Sequence, residues 1–149
     1  ILLKNNDTQV VVICGKNRAL KNKLEIDYAE QERVKILGYT ENMREWIQTA
    51  DVLITKAGGV TISEALASNI PLILFNPVPG QEMENAIYFR KNGMAKIAKN
   101  LEEVLACLEE LFFEDNIKKI KYNMTKNYLP HASYNICKDI MGILELNKV

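Results

Sequence analysis

The chain alternates short apolar runs with longer amphipathic stretches. Residues 9–15 are a β-branched run closed by a glycine, which predicts a buried strand. Residues 17–30 are polar and predict a helix. Residues 34–38, "VKILG", predict a second strand. Residues 41–50 predict a short helix with Met43, Trp46 and Ile47 on one side. Residues 51–55 predict a third strand, and 61–68 a helix with Ile62, Ala65 and Leu66 facing inward. Residues 71–75 predict a fourth strand. A Pro/Gly loop (76–80), a helix (82–91) and a weaker strand (94–98) follow. Beyond Asn100 only the helical period remains. It is carried by Leu101, Val104, Leu105, Leu108 and Leu111, then Ile117, Ile120 and Met124, then Ile136, Ile140 and Ile143.

Strands that alternate with helices at this pace predict β-α-β units. The fold class expected is α/β, a Rossmann-like parallel sheet flanked by helices, with a helical C-terminal tail. Continuous apolar strands fit a sheet covered on both faces. The length, 149 residues, suits one domain. The chain opens without Met and enters its first strand almost at once, so a portion of a longer protein is expected.

Composition narrows the function classes. Lys+Arg and Asp+Glu both number 19, so no bulk basic field points to nucleic acid. The longest apolar runs are too short to span a bilayer, and no signal peptide is visible. Cys14, Cys107 and Cys137 are odd in number and spaced unlike a zinc site. They predict buried reduced thiols. His131 is the single histidine, with no nucleophile or carboxylate patterned around it, so a structural or solvent-facing role is expected. Glu82 and Glu84 do not share a helix face and make a poor acid pair. Lys118, Lys119, Lys121 and Lys126 predict a solvated helix face rather than a membrane contact.

In an open parallel sheet, ligands bind at the carboxyl ends of the strands. Those ends carry Gly15-Lys16-Asn17, Gly38-Tyr39-Thr40, Lys56-Ala57-Gly58-Gly59 and the stretch 76–81. Gly58 and Gly59 precede a helix. Close backbone approach and a helix N-terminus suit a phosphate or diphosphate. A tight strand-to-helix turn explains the same glycines equally well. No P-loop is present, because Val10 stands where its first glycine belongs and Asn17 replaces Ser/Thr. No G-x-G-x-x-G follows a strand. Thr61-x-x-Glu64 has the form of a capping box. The rival reading makes Glu64 a carboxylate that accepts both hydroxyls of a ribose.

These residues together resemble a known family. The blocks "VVVICGKN", "VKILGYTENM", "ADVLITKAGGVTISEALA" and "PLILFNPVPGQEMENA" are similar, in order, to the C-terminal donor-binding domain of family 28 glycosyltransferases of the GT-B fold. "KAGG-x-T-x-SEA" followed by "P-x-PGQE-x-x-NA" looks most like the diacylglycerol branch, the processive glucosyltransferases and galactolipid synthases. The resemblance implies a single UDP-sugar-binding domain over residues 1–149, one part of a two-domain enzyme. Gly58, Gly59, Val60 and Thr61 would line the diphosphate, with Gly15 and Asn17 nearby and Lys56 as an extra countercharge. Glu64 would hold the ribose hydroxyls. The loop from Gly38 to Met43 would border uracil, with Thr40 offering backbone hydrogen bonds. Gln81, Glu82 and Asn85 would face the sugar.

The implied reaction is inverting transfer of a hexose, glucose first, to diacylglycerol or a glycolipid. No catalytic residue, metal or cofactor is expected here; the UDP-sugar is a substrate. The general base and lipid acceptor site would lie in an N-terminal half, onto which the helical tail would partly dock. The isolated domain would bind UDP without transferring sugar. The whole enzyme would sit peripherally on the cytoplasmic face of the membrane and bind no nucleic acid. Two rivals stand beside this reading. One is a UDP-sugar 2-epimerase, from whose usual motifs Val60-Thr61-Ile62-Ser63 and the Pro-Gly-Gln-Glu loop depart. The other is a non-catalytic UDP-sugar-binding subunit.

Overall fold

The computed structural model describes residues 2–4 and 7–146. The helical turn Leu2–Lys4 leads into strand β1 (Val10–Ile13), helix α1 (Arg18–Asp27), β2 (Val34–Leu37) and α2 (Met43–Thr49). Then come β3 (Leu53–Thr55), α3 (Gly59–Ala67), β4 (Leu72–Phe75), α4 (Gln81–Lys91) and β5 (Ala95–Ala98). Three helices close the chain: α5 (Leu101–Phe112), α6 (Asn116–Asn127) and α7 (Ala132–Leu146).

All strand pairs are parallel, as the β-α-β pattern requires. They form two ladders rather than one continuous sheet. β1 pairs with β2, Val10 opposite Val34, and β4 lies between β3 and β5, with Leu72 opposite Leu53 and Ala95.

The core is built around β4. Leu72, Ile73 and Leu74 are fully buried, because alternate side chains point to opposite faces and helices cover both. Ile62 and Ala65 of α3, Ala86 and Phe89 of α4, Val104 and Leu111 of α5, and Ile120 and Met124 of α6 pack into the same cluster. Each large aliphatic buried this way contributes about 1.5–3 kcal/mol relative to exposure. Truncating Leu74 to alanine would cost about 2–5 kcal/mol. No residue of β1, α1, β2 or α2 belongs to this cluster. Ile47 of α2 is buried apart from it, while Met43 and Trp46 are half-buried, so the inward side of α2 is the one its spacing predicts.

Helix starts show where capping operates. Asn17 caps α1 by accepting the Leu20 N–H at 3.0 Å. Asn100 caps α5 by accepting the Glu103 N–H at 2.9 Å. The Glu103 carboxylate reaches back to the Lys99 N–H at 2.8 Å. Glu103 thus braces the residue before the cap as well as the Asn100 side chain, whereas the box expected at Thr61 and Glu64 does not form. Helix α3 begins two residues earlier, at Gly59 with Gly58 as its cap, so Thr61 is already its third residue.

The apolar residues of α7 lie on the surface. Ile136, Ile140, Ile143 and Leu144 are all more than half exposed. Cys137 is exposed as well, against the expectation of a buried thiol. Cys14 and Cys107 are half-buried, and all three are free. Among the described residues no helix is long and apolar enough to cross a membrane.

Candidate functional site

Parallel pairing puts every strand's carboxyl end on one edge of its ladder. Lys56, Ala57 and Gly58 follow β3, and Gly59 opens α3. The first intrahelical bond of α3 runs from the Ile62 N–H to the Gly58 carbonyl at 3.1 Å. The N–H groups of Gly59, Val60 and Thr61 therefore precede the ladder, and Gly58 has no side chain to cap them. Ser63 steadies this turn, donating its hydroxyl to the Gly59 carbonyl at 2.8 Å. Val60 is 75% exposed, unusual for a valine.

The two glycines distinguish the rival readings of this turn. Gly58 has φ −69 and ψ 132, which any residue adopts, and Gly59 is helical without positive φ. A Cβ built on either glycine meets nothing within 4 Å. The fold itself thus has no need of glycine at either position. What two bare backbone positions provide is an unobstructed approach to unclaimed N–H donors at the positive end of a helix, the arrangement that suits an anion.

Glu64 lies mid-helix on α3 with an exposed carboxylate. No hydrogen bond or ion pair engages it among the described residues. The cap role is removed, and the side chain is free for a ligand.

The next strand end is arranged differently. Gly80, with φ 100, turns the chain after β4 into α4, a backbone conformation that L side chains rarely adopt. Gln81 is exposed at the first position of α4. Glu82 accepts the Val78 N–H at 3.4 Å and so braces the loop it follows. Asn85 does not point freely outward: its Nδ2 donates to the Ala57 carbonyl at 3.0 Å. It joins α4 to the glycine turn, a contact across 28 residues that no local pattern signals.

The β1–β2 ladder carries a third group. Gly15, Lys16, Arg18, Lys21, Gly38 and Tyr39 line a cleft of about 500 Å³. The Lys16 ammonium lies 5.9 Å from the Tyr39 ring centroid, a cation–π contact. Lys21 pairs with Glu25 one turn along α1. Arg18 and Lys21 were not anticipated from the sequence, although their three-residue spacing places them on one face of α1. The Asn17 side-chain oxygen is engaged as the α1 cap. The Thr40 hydroxyl accepts the Asn42 N–H at 3.1 Å. Met43, half-buried, opens α2 just beyond.

Other candidates fall away from this edge. His131 is exposed in a turn before α7, with φ 63, as its isolation in sequence predicts. Burial pushes the Cys107 thiol pKa up. Among the described residues no group of three or more His, Cys, Asp or Glu is placed to hold a metal ion.

The model of the glycosyltransferase family 28 C-terminal domain matches residues 2–140. The chain belongs to this family. The processive diacylglycerol beta-glucosyltransferase of Staphylococcus carnosus (strain TM300) is 42% identical over 146 residues, and that of Staphylococcus haemolyticus (strain JCSC1435) 40% over 146. In both cases 97% of this chain aligns with 37% of the relative, so the chain spans little more than a third of the curated relatives' length. Solved glycosyltransferases share the fold. WaaG, involved in lipopolysaccharide biosynthesis, superposes with a TM-score of 0.61 at 15% identity, over 80% of this chain and 33% of its own. A glycosyltransferase from Rickettsia africae ESF-5 gives 0.60 at 17%, over 91% of this chain and 40% of its own. The architecture, parallel strands flanked by helices, is the Rossmann-like α/β class that the sequence predicts, and GT-B glycosyltransferases share it.

Proposed function

We propose that this family 28 domain holds the UDP-sugar of an enzyme that transfers glucose to diacylglycerol or to an already glycosylated diacylglycerol, with inversion at the anomeric carbon. The observation that carries the reading is the Gly58-Gly59 turn: two glycines the fold does not require, beside N–H groups without a cap. The identity of about 40% to diacylglycerol glucosyltransferases supports the choice of sugar and acceptor.

In this reading the diphosphate lies against the N–H groups of Gly59, Val60 and Thr61. Glu64 accepts the two ribose hydroxyls. Gln81 and Glu82, at the neighbouring strand end, meet the hexose. The base lies beside Gly38 and Thr40, and Lys16, Arg18 and Lys56 supply countercharge. During transfer the acceptor oxygen forms its bond to the anomeric carbon as the bond from that carbon to the phosphate oxygen breaks. The bonding pair leaves with UDP, and the acceptor proton goes to a base outside this domain. Oriented N–H donors and the α3 dipole favour the growing negative charge on UDP. The lipid would reach the site from a partner half, with the whole enzyme held peripherally on the cytoplasmic face of the membrane.

The test is donor screening with the full-length parent. UDP-glucose, UDP-galactose and UDP-N-acetylglucosamine are each offered with diacylglycerol in detergent micelles. The expected product is β-glucosyl diacylglycerol from UDP-glucose. Epimerised nucleotide sugar without a lipid product would contradict the transferase reading. UDP-sugar binding without any turnover would favour the non-catalytic subunit.

A further inference from the structure

Two aliphatic side chains stand exposed at the carboxyl edge of the β3–β4–β5 ladder, each on a firmly held backbone. Val78, in the loop after β4, is 48% exposed, and Leu101, the first residue of α5 after β5, is 62% exposed. The Val78 N–H donates to the Glu82 carboxylate at 3.4 Å, and its carbonyl accepts the Met83 N–H at 3.1 Å. Pro77 and Pro79 flank it with fixed φ. Leu101 follows the Asn100 cap, whose side-chain oxygen accepts the Glu103 N–H at 2.9 Å. The Asn76 N–H donates to the Ala98 carbonyl at 2.7 Å and joins the two strand ends. By its period Leu101 shares a stripe with Val104, Leu108 and Leu111, and Val104 and Leu111 are buried in the core. The apolar stripe of α5 therefore runs past the core and ends in the open at this edge.

In-line displacement decides what faces these side chains. Inversion requires the acceptor oxygen to approach the anomeric carbon from the side opposite the departing phosphate oxygen. In the site proposed above, the diphosphate lies at the β3 end, against Gly59, and the hexose at the β4 end, against Gln81 and Glu82. β4 lies between β3 and β5. The line from phosphate to hexose, continued, leads to the β5 end. Leu101 stands there, and Val78 stands on the near side, in the loop that also carries the hexose-facing residues.

Resting on that donor-site reading, we propose that Val78 and Leu101 contact the acyl-bearing glycerol of the acceptor lipid and favour an apolar acceptor. The partner half brings the lipid to the edge, and these two side chains form the wall on this domain's side. An acyl chain laid over them removes apolar surface from water, which favours binding. The acyl chains do not react, so the contact is the same in the bound lipid and in the transition state. It therefore acts on the acceptor KM and leaves kcat alone. The contact also accounts for an apolar residue at the start of α5, where the core does not cover it.

Val78→Ser and Leu101→Ser in the full-length parent test this, with UDP-glucose as donor and dioleoylglycerol in mixed micelles as acceptor. Both positions are exposed, so the melting temperature should not move. The acceptor KM should rise about fivefold or more in each variant, with kcat and the UDP-glucose KM unchanged. Leu101→Met, which keeps the apolar surface, should restore the parent's acceptor KM. An unchanged acceptor KM in both serine variants, while the parent makes glucosyl lipid, overturns the proposal and leaves the donor-site reading standing. A lowered melting temperature with an unchanged acceptor KM would mean that the two residues pack against the partner half, which also overturns it. Equal losses for donor and acceptor would place them in the donor site and overturn it too. No glucosyl lipid from the parent itself would contradict the transferase reading, and this proposal with it.

Discussion

Asn85 donates its Nδ2 to the carbonyl of Ala57 at 3.0 Å and thereby fastens α4 to the turn that begins α3. Ala57 is fully buried, so its carbonyl has little access to water. Asn85→Ala should destabilise the full-length protein by about 1–3 kcal/mol, the cost of a buried acceptor left unpaired. Asn85→Asp keeps the shape but cannot donate, and should lose at least as much. Urea denaturation measures both. An Asp variant as stable as the parent would show that the bond does not hold the turn.

Glu64→Ala tests the role left to that carboxylate once the capping box is gone. The side chain is exposed and unpartnered, so stability should change by less than about 0.5 kcal/mol. UDP affinity should fall by about 1.5–3 kcal/mol, the worth of hydrogen bonds to a charged acceptor. Calorimetry of UDP binding alongside a thermal melt separates the two. A variant that melts earlier yet binds UDP normally would return Glu64 to a structural role.

Gln81 and Glu82 should govern the sugar more than the nucleotide. Gln81→Ala should leave UDP affinity nearly intact and lower turnover of the UDP-hexose at least tenfold, about 1.4 kcal/mol. Glu82→Ala should do the same and also loosen the loop at Val78, whose N–H it accepts. Equal losses for UDP and UDP-hexose would move these residues to the phosphates. Unchanged turnover would leave them as helix-start residues.

The three thiols should separate by alkylation rate at pH 7. Cys137 is exposed and should react first. Cys107 should react last among them: its pKa is raised by burial, so less thiolate is present at any given pH below it. Mass spectrometry of iodoacetamide-labelled peptides gives the order. Early labelling of Cys107 would contradict its burial beneath the Ile97 carbonyl.

Much of this was legible in the chain, and the exceptions share a cause. The apolar runs located the five strands described, because period and composition are local signals, whereas the deeper burial of β4 emerged only from the packing. The start of α3 was misplaced by two residues because glycine is a weak helix former, so Gly58-Gly59 read as a loop. The division into two ladders carries no local signal, since pairing between strands is tertiary. The same holds for the Asn85 bond to Ala57. The Gly38 and Tyr39 side of the basic cleft was named by motif, whereas Arg18 and Lys21 needed the helix to be seen facing it.

Gly59→Ala tests most directly whether this edge holds the diphosphate. The position is helical, lacks positive φ, and has open space where the methyl would go. Alanine should therefore leave stability unchanged or raise it by up to about 1 kcal/mol. The same methyl would stand between the ligand and the N–H donors. The account predicts, for the full-length protein, an equal or higher melting temperature together with at least a tenfold loss of UDP affinity by calorimetry. Unchanged UDP affinity in a stably folded variant would contradict it.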